Sequence, residues 1–164
     1  WDCPILIHSS IAENDIWSQC SDILDIAEQT PNVRFCLAHS CRYDRPSLDR
    51  MATLDNAWFD CSAHRIHCES VTRGLENVAS GDHLFKTAYT NPTQVLHDLN
   101  TAYPNKLMWG SDSPFYSWIT SKGRFPFSLK SSYQEETDCL FGLNEEVISK
   151  IACDNILSFL SRDS

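Results

Sequence analysis

The sequence contains no block of Lys or Arg, and its formal net charge is −9. Nucleic acids and anionic membrane surfaces are bound through clustered positive charge, so neither partner is expected. No apolar run approaches the length of a membrane-crossing helix. No low-complexity stretch and no simple repeat is present. The eight cysteines include no Cys-x-x-Cys pair. Several of them fall inside apolar strands or on helix faces, where a free thiol behaves as a small hydrophobe. They are expected to be reduced, which points to a cytoplasmic protein. What remains is a chain of 164 residues, 42% hydrophobic and 21% charged, enough for one domain with a real core.

Short apolar runs alternate with helical patterns along the chain. Ile5-Leu6-Ile7 is expected to be a buried strand, with Pro4 at its start. A helix is expected over Trp17 to Gln29, with Trp17, Cys20, Ile23, Leu24 and Ala27 on its buried face. Thr30-Pro31 stops it. Val33 to Ala38 is expected to be the second strand. Tyr43-Asp44-Arg45-Pro46 leads into a helix that buries Leu48, Met51 and Ala52. Ala57 to Ser62 is the third strand. A short helix is expected around Val71, Leu75 and Val78. Asn91-Pro92 caps and opens the next, which buries Val95, Leu96, Leu99 and Ala102. The fourth strand, Leu107 to Trp109, runs into the turn Gly110-Ser-Asp112-Ser-Pro114. Helices near Gln134–Phe141 and from Asn144 onward complete the chain. Such an order predicts a parallel sheet with helical crossovers. Strands buried on both faces show up as continuous apolar runs, as these do.

Three of the strands run into a metal-competent side chain: His8, His39 and Asp112. In an α/β barrel the chemistry sits at the carboxyl ends of the strands. Imidazole and carboxylate together suit Zn²⁺ and similar divalent ions. Each residue alone also has an ordinary structural role, as a hydrogen-bonded histidine or a turn-forming aspartate. The shared position at one end of successive strands is the stronger signal.

Four segments resemble the amidohydrolase-related family, the branch of the amidohydrolase superfamily that includes metal-dependent decarboxylases and lactonases. Pro4-Ile-Leu-Ile-His8 resembles its fifth barrel strand and metal-binding His. Phe35-Cys-Leu-Ala-His39 resembles the sixth, with its active-site His. Trp58-Phe-Asp-Cys-Ser62 resembles the seventh. Met108-Trp-Gly-Ser-Asp112-Ser-Pro114 resembles the eighth, with its catalytic Asp. Gly142 to Asn155 resembles the closing helix and its Asn-containing turn. Two departures stand out. Ser40-Cys41 follow His39 where the family often has Gly, and the paired His-x-His of the first strand is absent.

The resemblance implies an α/β fold of the (β/α)8 type, represented over 1–164 by the last four units (strands 5 to 8) plus C-terminal helices. It implies His8, Asp112 and His39 as metal ligands, with Asp112 and His39 also catalytic, and a divalent metal, zinc first. A metal-activated water would attack a small, carboxylated substrate. Arg42, His64 and Arg65 are the expected substrate contacts; an Arg fork matches a carboxylate. Trp118, Phe115, Tyr116, Phe125 and Phe127 are candidates for a pocket lid. A barrel of this type runs to about 250 residues, so a missing amino-terminal half-barrel or a partner chain is expected to complete this one, and a homo-oligomer is compatible with it. Four strands alone would leave two open edges and an uncovered interior face. A decarboxylase on the same scaffold and a truncated, non-catalytic half-barrel are the alternatives.

Overall fold

A computed structural model describes residues 3–118 and 129–161. Four short strands form one parallel sheet in the order β1-β2-β3-β4, as the alternation predicts. These are β1 (Ile5–Ile7), β2 (Phe35–Leu37), β3 (Ala57–Asp60) and β4 (Leu107–Met108). Between them run α1 (Cys20–Gln29), α2 (Arg45–Ala52), α3 (His64–Arg73) and α4 (Pro92–Ala102). After β4 come α5 (Phe115–Trp118), α6 (Tyr133–Phe141), α7 (Glu145–Ser149) and α8 (Asn155–Leu160), the last two joined by a π-turn over Lys150–Asp154. Among the described residues no helix is long and apolar enough to cross a membrane. All eight cysteines are free thiols.

The caps are largely those the sequence calls for. Asp44 accepts from the Ser47 N–H, Asn91 from Gln94 and Asn144 from Val147, while Ser132 and Glu135 form a reciprocal capping box. Two buried asparagines tie loops to strands. Asn56 Nδ2 faces the carbonyls of Ala27, Thr30 and Val33 at 3.0, 3.1 and 2.8 Å. Asn155 Nδ2 donates to Pro104 and Leu107 at 3.0 and 2.7 Å.

Alternation along the strands divides the core in two. Phe35, Leu37, Ala57, Phe59 and Leu107 point to the helix side and meet Leu24, Leu48, Met51, Val95 and Leu99 in the main cluster. The other face carries Leu6, Cys36, Trp58 and Met108. Strand register sets Leu6 beside Cys36 and Cys36 beside Trp58. Phe159 and Ile156 of α8 cover most of this face, with the Phe159 ring 5.6 Å from Trp58. The expected uncovered interior therefore reduces to its β1 end, where Leu6 is 65% exposed.

Some sequence expectations fail for local reasons. Helix α1 starts at Cys20 rather than Trp17, so Trp17 lies in the preceding loop and is 90% exposed instead of buried. Gly74, in the left-handed conformation, closes α3, so Leu75 and Val78 fall outside the helix expected to hold them. The buried face of α3 is instead His64, Ile66, His67, Cys68 and Ser70.

Candidate functional site

A cavity of about 340 Å³ lies at the carboxyl ends of the strands. Its walls are Leu6, His8, Ala38, His39, Asp60, Ser62, Gly110 and Asp112. Seven of these eight follow from alternation alone. Leu6 is followed two residues on by His8, Trp58 by Asp60 and Ser62, and Met108 by Gly110 and Asp112. All continue the face that carries Leu6, Cys36, Trp58 and Met108, and Ala38 follows Cys36 in the same way. His39 has the opposite parity. Were the chain to continue extended, its ring would point among the helices.

The backbone reverses hand at His39. Residues His39, Ser40, Cys41, Arg42 and Tyr43 have φ of 70, 49, 47, 54 and 61°, a left-handed turn without a glycine. Each L-residue held there costs about 1–2 kcal/mol, and all five are buried. Many bonds hold the turn. Ser9 Oγ donates to the Ala38 carbonyl at 2.5 Å, Ser40 Oγ to the Asp60 carbonyl at 3.3 Å, and Arg42 Nε to the Ser9 carbonyl at 3.2 Å. The Ala79 and Phe85 amides donate to the carbonyls of Arg42 and Tyr43 at 2.9 and 3.0 Å. Ser40→Gly, which loses one weak bond and relieves one strained residue, is expected to stay within about 1 kcal/mol of wild type. Ser40→Val, β-branched at φ 49°, is expected to destabilise by about 2 kcal/mol or more. Urea midpoints of the two variants check this order, and Val at least as stable as Gly would sink it.

The turn brings His39 into a row of polar groups. Asp15 Oδ2 lies 3.4 Å from His8 Nε2, and His8 Nδ1 lies 3.0 Å from His39 Nε2. His39 Nδ1 is 3.0 Å from the Ser62 carbonyl and 2.9 Å from Ser62 Oγ. A carbonyl can only accept, so Nδ1 of neutral His39 carries the proton and Nε2 presents its lone pair to the cavity. Burial, with the nearby Arg42 charge, pushes His39 down to about 3, so the ring is neutral at pH 7. Asp112, in the left-handed region at φ 58°, is pushed above the ordinary carboxylate range by burial and by Asp60. Burial also raises Asp60, although its Oδ1 accepts from the amides of His39 and Ser62 at 3.2 and 2.8 Å.

The three expected substrate contacts do not line this cavity. Arg42 is buried one layer behind, donating to Ser9 and to His67 Nε2, with the Tyr116 phenol near it. The His67 ring lies 5.2 Å from that of His39. His64 and Arg65 sit in α3, not in a loop overlooking the site. His64 Nε2 donates to the Pro92 carbonyl at 2.8 Å and its Nδ1 meets the Tyr43 hydroxyl at 3.0 Å; burial lowers it to about 4. Arg65 ties α3 to the α6 end through the Lys130 carbonyl at 3.0 Å and Glu135 at 3.4 Å. Of the lid candidates, Phe115 is exposed and Tyr116 packs edge-on to His67. The Trp118 side chain, Phe125 and Phe127 lie outside the described residues. Asp15, Asp60 and Ser62 are the site residues that sequence reasoning missed. The last two were there to be found by alternation from Trp58, whereas Asp15 carries no local signal.

The donor set suits a divalent ion. His39 offers a neutral ring nitrogen, His8 faces it at 3.0 Å, and Asp112 shares the cavity. Two ring nitrogens so placed share a proton or face a common cation. Among the described residues no three His, Cys, Asp or Glu side chains converge closely enough to hold an ion, so these groups could supply only a partial ligand set.

Comparison with known proteins bears on the family and the fold. A family model described as Amidohydrolase matches residues 2–162. Among solved structures, a zinc-bound amidohydrolase from Burkholderia multivorans is similar with a TM-score of 0.60 and 16% identity, over 94% of this chain and 52% of that one. A HEPES-bound crystal form gives a TM-score of 0.60 and 15% identity over the same shares. The chain thus spans about half the length of the solved structures it matches, and at such identity the likeness concerns the fold. No curated protein matches the sequence.

Proposed function

The chain belongs to the amidohydrolase family, and from that premise we propose that it forms the last four units of a (β/α)8 barrel that hydrolyses a small, carboxylated substrate with a divalent metal. The observation that carries this reading is the facing pair His8 Nδ1 and His39 Nε2, 3.0 Å apart, in one cavity with Asp112. His8, His39 and Asp112 would hold the metal, zinc first, and further ligands would come from the other half-barrel or a partner chain. When bound, such an ion polarises a substrate carbonyl and acidifies a water.

The chain's own groups then have separate tasks. Asp112 takes the proton of the attacking water. Ser62 fixes the His39 tautomer, and Asp15 orients His8. Arg42, whose charge is felt at both His39 and Asp112, draws the substrate carboxylate. His64 and Arg65, bound to Pro92, Lys130 and Glu135, leave that task to it.

The partial ligand set favours a second reading, a non-catalytic half-barrel. Zinc analysis separates the two. The complete protein, loaded with zinc and dialysed, is expected to retain stoichiometric metal and to lose it in His8→Ala. Equal, sub-stoichiometric zinc in both proteins would favour the non-catalytic reading.

A further inference from the structure

His39 reaches the cavity only because the chain turns left-handed at that residue, so something must fix the turn at its first peptide. One side chain touches both that peptide and the receiver of the His39 ring. Asp60 Oδ1 accepts from the His39 amide at 3.2 Å and from the Ser62 amide at 2.8 Å. The Asp60 carbonyl receives Ser40 Oγ at 3.3 Å, one residue further into the turn. Its second oxygen meets the Cys36 thiol at 3.8 Å. Asp60 is buried, with 5% of its surface exposed.

We propose that Asp60 is the positioning residue of the site: its Oδ1 gathers the His39 and Ser62 amides, setting the left-handed turn that aims the His39 ring and the Ser62 carbonyl that fixes its tautomer. The inference rests on the reading of His39 as a site residue. Asp60 itself need touch neither substrate nor metal. A strained segment persists only where its surroundings over-determine it, and two amides on one oxygen are such a constraint. An asparagine could supply the same acceptor; an alanine could not.

The test compares the 164-residue wild type with Asp60→Asn and Asp60→Ala. Long-range proton–nitrogen spectra read the His39 tautomer, and amide exchange reads the His39 and Ser62 N–H groups. Wild type is expected to show the Nδ1–H tautomer, and Asp60→Asn to keep it together with slow exchange. Asp60→Ala is expected to populate the Nε2–H tautomer. Exchange of the two amides should rise about tenfold or more, because both lose a buried acceptor, while distant amides such as those of Leu24 and Leu99 hold. A folded Asp60→Ala protein with wild-type tautomer and exchange overturns the proposal. If Asp60→Ala does not fold, Asp60→Asn decides: an altered tautomer overturns the proposal, and a retained one upholds it. Zinc analysis of the complete protein is a separate readout. Failure of the complete protein to retain zinc would remove the metal reading and leave the tautomer result standing.

Discussion

Asp112→Asn is expected to lower turnover of the complete protein about a hundred- to ten-thousandfold, the range by which a positioned base accelerates proton transfer. Its unfolding free energy should move by less than about 1 kcal/mol, because Asn suits the left-handed backbone that Asp112 occupies. The residue has φ 58° and is partly buried on the cavity wall. Asparagine keeps the shape and one acceptor oxygen but cannot take a proton. The fall should therefore appear in kcat, while a urea transition on the same sample stays near wild type. Asp112→Ala would confuse the issue, since it also places a poor left-handed residue in the turn. Unchanged kcat in Asp112→Asn would remove this carboxylate from the mechanism. A fall accompanied by a large loss of stability would show that Asp112 serves the turn rather than the reaction.

The sheet was legible because its strands are continuous apolar runs, which a strand buried on both faces requires. Strands β2, β3 and β4 are so buried. Strand β1, also expected to be buried, has Ile5 and Leu6 exposed because it is the edge of the sheet. Most of the cavity was legible too, by counting in twos from Leu6, Trp58 and Met108. What could not be read is how His39 arrives there. Ser40, Cys41 and Arg42 carry no glycine or asparagine to mark a left-handed turn, and the bonds that stabilise it come from Ser9, Asp60, Ala79 and Phe85, far away in sequence. Trp17 was misplaced for a related reason. Its spacing continues the face of α1, but Gln19 is extended and the helix begins only after it. Arg65 shows the opposite limit, since nothing local reveals that residues 130 and 135 will engage its guanidinium.

The two faces of the sheet should respond differently to truncation. Phe59, fully buried against the helices with its ring 6.0 Å from that of Tyr103, is expected to cost about 3–5 kcal/mol as Phe59→Ala. Leu6, 65% exposed on β1, where the sheet of the described residues ends, is expected to cost less than about 1 kcal/mol as Leu6→Ala in the 164-residue chain. The contrast turns on what lies beside β1. If four further strands close the barrel, one of them pairs with this edge and Leu6 becomes an interior residue. Leu6→Ala should then cost about 2–5 kcal/mol in the longer protein, the range for a buried leucine, while the cost of Phe59→Ala stays where it was. Urea unfolding of both variants in both lengths measures the change. A small Leu6→Ala cost in the longer protein would mean that nothing packs on this edge. The cavity would then stay open along β1, beside His8, and further metal ligands would have to approach from the β4 side. There the Trp109 amide already donates to the Ile151 carbonyl at 2.8 Å. That bond engages part of the β4 edge, the other edge that closure of an eight-stranded barrel would have to pair.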